Sequence, residues 1–189
     1  MNFEILMELP FLLLTGGVVL PLLVLVVIYN GHVSRRNAVD YAFSSIDVQL
    51  KKRWELVPNL VETVKGYAKH ESALFERVTL ARQNAMTGDL QTRLMYEGQI
   101  SQEIPALMAV SESYPDLKAN EQFIWLQRNL TEIESQISAS RRAYNAAITG
   151  YNDGVQMFPS SVVANMFGFK KREWFQIDSS ERGVRNVSL

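Results

Sequence analysis

Between Glu8 and Arg35 the chain carries no charged side chain if His32 is neutral, and from Leu9 to Tyr29 it is almost wholly apolar. At about 1.5 Å per residue the stretch is about 32 Å long, enough for a hydrocarbon core of about 30 Å. Glu4 and Glu8 stand where a cleaved signal would carry Lys or Arg, and no small-x-small cleavage site follows, so the span is expected to remain as an anchor. Pro21 removes one backbone hydrogen bond and crowds the carbonyl of Gly17, which predicts a bend.

From Val39 the pattern changes to apolar residues at alternating steps of four and three: Val39, Phe43, Ile46, Leu50, Val57, Leu60, Val64 and Tyr67. This is the seam of a bundle helix. Arg53 occupies the vacant step, and Trp54, one residue along, is expected to fill it. Pro58 cannot donate to the carbonyl of Trp54, so a kink is predicted there, and Gly66 with Lys69, His70 and Glu71 suggests an end near residue 70. Ser72 to Met86 reads as a second helix with Leu74, Val78, Ala81 and Ala85 on one face. Thr87, Gly88 and Asp89 break it, and Asp89 is a candidate cap for a third helix. That helix, with Leu94, Ile100, Ile104, Leu107 and Val110, is less regular; Pro105 interrupts its ladder, and Tyr114, Pro115 and Asp116 end it. Asn120 is the predicted N-cap of the most regular segment, in which Phe123, Leu126, Leu130, Ile133, Ile137, Ser140, Tyr144, Ala147, Tyr151, Gly154 and Phe158 keep the three-four spacing. Its small residues predict a close approach to another helix.

The expected fold is therefore all-α, an N-terminal transmembrane helix followed by an antiparallel up-and-down bundle. Four legs are preferred because Gly88 with Asp89 is a strong break; three would result if residues 72–113 formed one leg. Residues 1–8 form a short N-terminal segment, 9–30 the span, 34–158 a cytoplasmic bundle, 159–177 an aromatic and basic segment, and 178–189 a polar tail expected to be disordered. Arg35 and Arg36 follow the span while residues 1–8 hold no Lys or Arg, which predicts a single-pass protein of the inner membrane with its N-terminus outside and its bundle in the cytoplasm.

Composition narrows the chemistry. The 189 residues carry a net charge of −1, so no whole-molecule field favours nucleic acid. The absence of cysteine excludes disulfides, thiolate catalysis and cysteine-ligated metals. His32 and His70 belong to no metal-spaced cluster and read as cap or surface residues, and Asp47, Glu55 and Glu62 read as a solvated face with Asp47 paired to Lys51. With no phosphate loop, dinucleotide turn or nucleophile elbow, no catalytic, metal or cofactor-binding residue is expected.

One stretch outside the seams stands out: FGFKKREWF, where aromatic and cationic residues alternate. Ordinary packing on the bundle is one reading. The other is contact with the membrane interface through Phe167, Phe169, Lys170, Lys171, Arg172, Trp174 and Phe175, together with Tyr29, Arg35 and Arg36 at the end of the span. The seams of the first and fourth helices outreach the shorter pair between them, which predicts apolar surface buried between protomers and hence a homo-oligomer.

Four blocks carry a resemblance: RNAVDYAFSSIDVQLKKRWELVPNLVETVKGYAKHE from Arg36 to Glu71, YPDLKANEQF from Tyr114 to Phe123, RRAYN from Arg141 to Asn145, and FP at Phe158 and Pro159 followed by FGF at Phe167 to Phe169. In this order they resemble the LemA family of bacterial membrane-anchored helical proteins. The resemblance implies one N-terminal span, an outside N-terminus and a cytosolic antiparallel bundle, and no reaction, cofactor or catalytic residue. Two roles remain. One is a non-enzymatic scaffold that self-assembles and organises the membrane or partner proteins; the other is a monomeric tethered module that regulates a membrane protease or signalling protein.

Overall fold

A single helix, α1 (Phe3–Lys65), carries both the apolar stretch and the first seam. In this computed structural model the described residues are 3–88 and 90–174, so the predicted cap Asp89, the interface candidate Phe175 and the tail lie outside them. The helix continues through Pro21 and Pro58, and no break separates the apolar stretch from the seam. The described chain divides into two compact units, one holding α1 up to Ala42 with residues from Ala143 onward, the other Phe43–Arg142.

The unit Phe43–Arg142 is built from the end of α1, α2 (Ser72–Thr87), α3 (Leu90–Val110) and the first part of α5 (Glu121–Gln156). A 3-10 turn (Ser111–Ser113) and the short α4 (Pro115–Lys118) connect α3 to α5. Side-chain pairs fix the directions. Arg82 of α2 donates to the Trp54 carbonyl although the two helices join near residue 70, so α2 runs back along α1. Arg77 pairs with Glu103 across the α2–α3 turn, which makes α3 antiparallel to α2. Asn120 reaches Tyr67 while Glu134 reaches Arg53, so α5 descends where α1 rises. The four legs run up, down, up and down, as the break at Gly88 predicts. A Cβ at Gly88 would stand 2.7 Å from Thr92 Cγ2 and 2.9 Å from the Asn84 carbonyl, so the turn closes only around a residue without a side chain.

The core of this unit follows the seams. Val57, Leu60, Val64, Leu74, Val78, Ala81, Ile100, Ile104, Leu107, Phe123, Leu126 and Leu130 are buried together. Each fully buried side chain of the leucine or isoleucine type contributes about 1.5–3 kcal/mol. Two expectations change. α1 stops at Lys65 and turns through residues 66–71, so Ala68 is buried and Tyr67 is exposed. Asp47 pairs with Arg93 of α3, at 2.6 Å, because that guanidinium lies across the helix pair. The predicted cap is present: Asn120 Oδ1 accepts from the Phe123 amide at 2.9 Å.

In the other unit the end of α5 and α6 (Ser160–Phe167) pack with α1 around Val39, Ile148, Tyr151, Val155 and Ala164. Gly168, at φ 73°, ends α6 in the left-handed conformation that glycine adopts without strain. The last predicted seam position, Phe158, is 84% exposed, because α5 ends at Gln156 and the chain turns before reaching it.

Candidate functional site: an aromatic and cationic collar on α1

Tyr29 and His32 lie one turn apart on α1, where the apolar stretch ends. α6 and the segment after it bring two rings, Phe167 and Phe169, to this turn. The Tyr29 ring meets Phe167 at 4.8 Å and Phe169 at 5.8 Å, both edge-on, and His32 stacks on Phe169 at 4.9 Å. These are the separations at which aromatic pairs attract beyond simple burial. His32 is fully buried, and its Nε2 lies 3.1 Å from the Ser160 carbonyl. A carbonyl only accepts, so Nε2 carries the proton and donates it. The expectation of a cap or surface histidine is therefore corrected: His32 is an internal strut between α1 and the start of α6.

The predicted interface residues among those described divide into four groups. Tyr29, Arg36, Phe167 and Phe169 come together, with the Arg36 guanidinium 5.9 Å from the centre of the Phe169 ring. Arg35 lies along α5: a Cβ on Gly154 would meet its Cδ and Nη1 at 3.2 Å, so the small residue makes room for the arginine. Arg172 and Trp174 are tied to α5. Buried Asn152 donates to the Arg172 carbonyl and accepts from the Arg172 amide, both at 2.9 Å. The Arg172 side chain pairs with Asp40 and lies 5.7 Å over Tyr151, and Trp174 Nε1 donates to Thr149 at 3.1 Å. Burial pushes the Tyr144 hydroxyl above its ordinary pKa, with Arg172 opposing and Asp40 adding to the rise. Lys170 and Lys171 are exposed.

A second polar cluster lies in the unit Phe43–Arg142. Arg53 holds the seam position that Trp54 was expected to take and is 1% exposed. Its guanidinium donates to the carboxylates of Glu97 and Glu134, to Ser101 Oγ at 2.7 Å and to the Glu97 carbonyl at 3.2 Å. Trp54 is half-buried and donates from Nε1 to Glu97 at 2.6 Å, under the Arg93 guanidinium 5.0 Å away. Burial lowers the pKa of Arg53, and Glu134 counters it through charge and a hydrogen bond. Such a cluster is a fastening, since Nη1 and Nη2 of the guanidinium are turned on the two carboxylates and Ser101. An open groove of about 640 Å³ between α1 and α2 is lined by Val61, Lys65, Lys69, Phe75, Glu76 and Leu80 among others. Among the described residues no group of three or more His, Cys, Asp or Glu is placed to hold a metal ion.

Comparison with known proteins adds the following. Residues 42–189 match the sequence model of the LemA family. The magnetosome proteins MamQ 2 and MamQ 1 of Paramagnetospirillum magneticum are each 26% identical over 175 residues, covering 78% of this chain and 64% of theirs. The protein LemA of Metamycoplasma hominis is 26% identical over 149 residues, covering 78% of this chain and 68% of its own. The chain thus spans just under two thirds of the length of the MamQ relatives it matches.

Proposed function

Because the chain belongs to the LemA family, with residues 42–189 inside the family's bounds, we propose that it is a non-enzymatic, membrane-anchored helical scaffold. On this reading it self-assembles in the inner membrane and organises the bilayer or partner proteins there. The observation that carries the reading is α1 itself. Val18, Leu20, Leu22, Leu23, Val26 and Val27 are all more than half exposed on a helix long and apolar enough to cross a membrane. In water such a surface is costly, at about 25 cal/mol for each Å² of apolar area; in lipid the cost vanishes. The collar at Tyr29, His32 and Arg36 then marks the level at which the helix leaves the bilayer, with Lys170 and Lys171 available to anionic headgroups.

Exposed apolar residues on the bundle legs, Leu80 on α2 and Ile124 and Trp125 on α5, support contact between protomers. Mass measurement of the full chain in mild detergent tests this. A discrete assembly is expected, and a monomer at high concentration would favour the tethered regulatory module instead. Orientation is tested by single cysteines at Asn2 and Ser180 in the cysteine-free chain, with an impermeant maleimide added to intact cells. Labelling of Asn2→Cys alone is expected; labelling of Ser180→Cys alone would reverse the topology.

A further inference from the structure

α6 crosses α1 instead of running along it. Its first residue, Ser160, meets His32, and its last, Phe167, meets Tyr29. Eight helical residues extend about 12 Å, whereas Tyr29 and His32 differ in height along α1 by only about 4.5 Å. If α1 spans the bilayer, α6 lies nearly in the plane of its surface, at the depth where the span ends. Val163 and Ala164 hold one side of α6 to the unit. The other side is open, and beside the exposed Asn165 it carries apolar residues: Val162 is 51% and Met166 65% exposed, and the corner before the helix adds Met157 at 60% and Phe158 at 84%. None of these four contributes to the collar's ring contacts.

We propose that α6 and the corner at Met157 and Phe158 form a wedge seated in the boundary between headgroups and acyl chains, in the leaflet that α1 passes through beside Tyr29. The occupant of this apolar face is lipid because the face continues a surface already read as membranous. Phe167, half exposed, joins it through Tyr29 to the exposed apolar residues of the span. Lys170 and Lys171 follow within one turn's length of chain and match the charge of anionic headgroups. An in-plane helix with one apolar side and cations at its border is the arrangement that buries about 5–10 Å deep in a membrane surface. The wedge occupies area in one leaflet only, so each copy of the protein expands that leaflet relative to the other.

The proposal rests on α1 being the anchor, and the test separates the two. Single cysteines replace Val162, Met166, Leu22 and Gln127 in the cysteine-free full-length chain. Each variant is labelled with an environment-sensitive fluorophore and reconstituted into vesicles of phosphatidylethanolamine and phosphatidylglycerol, with helical content checked by circular dichroism. Labels at Val162→Cys and Met166→Cys are expected to be quenched several-fold more by lipids carrying a nitroxide near the glycerol than by aqueous iodide. The label at Gln127→Cys should show the reverse, and that at Leu22→Cys should respond to a nitroxide deep in the acyl chain. If the α6 labels behave like Gln127→Cys while Leu22→Cys is quenched from within the bilayer, the anchor stands and the wedge is overturned. Protection from iodide without nitroxide quenching means that protein covers the face, which also overturns it. A Leu22→Cys label open to iodide removes the anchor and the wedge together. Phe158→Cys, outside α6, repeats the measurement should a label within the helix disturb its folding.

Discussion

The two units are held by different kinds of contact. In Phe43–Arg142 four apolar seams meet, and the polar exception, Arg53 with Glu97, is enclosed within them, with the partly exposed Glu134 at its edge. In the unit formed by the start of α1, the end of α5 and α6, the apolar core is small, and the chain is positioned by ring contacts and by side chains bonded to backbone: His32 to Ser160, Asn152 to Arg172. The first arrangement draws stability from apolar area buried across four helices. The second depends on a few directional bonds, each of which can be cut singly.

The largest effect that would break the contrast is expected at Arg53. Arg53→Ala leaves the buried Glu97 carboxylate without its cation, with only the Trp54 indole to donate to it, and should cost about 3–5 kcal/mol, read from urea unfolding of the full chain in detergent. Arg53→Met combined with Glu97→Met should recover much of that loss, because removing both charges also removes their desolvation. A smaller loss is expected at Asn152. Asn152→Ala should cost about 1–3 kcal/mol and should speed hydrogen exchange at the Arg172 amide while α2 and α3 keep their protection. If exchange in α2 and α3 rises equally, the units are not energetically separate.

Next in size is an alkaline effect. The Tyr144 pKa is raised in the folded state, so its share of stability is present below the ordinary tyrosine value of about 10 and is lost as pH climbs through the folded value. Thermal midpoints should fall more steeply above that pH in the native chain than in Tyr144→Phe. The smallest effect is expected at the solvent-facing Lys118–Glu112 pair, where Lys118→Ala should leave the midpoint unchanged at moderate salt.

Most of the fold is legible in the three-four spacing, because burial of one helix face needs no knowledge of the partner. The long apolar helix, the order of the four legs, the break at Gly88 and the cap at Asn120 all follow from residues near one another in sequence. The spacing misleads where a polar residue sits on the seam. Arg53 looks like a gap in α1, and Glu97 makes α3 look irregular, yet Glu97, Ile100, Ile104, Leu107 and Ser111 keep the period once polar members are counted. Opposite charges at seam positions of two helices were the available signal for a buried pair. His32 offered none: its stacking on Phe169 joins residues far apart in sequence. The collar is legible as a composition of rings and cations, but which of them turn inward depends on that same distant pairing.

Asn152 carries one further implication. The segment after Gly168 has no helix of its own to set its phase, and the paired bonds from one amide side chain to Arg172 act as a single rung that fixes its register. A residue inserted or deleted between Gly168 and Arg172 would therefore present a different neighbour to Asn152 and carry the arginine away from both Asp40 and Tyr151. Length is the constrained quantity in this segment, more than the identity of Lys170 or Lys171.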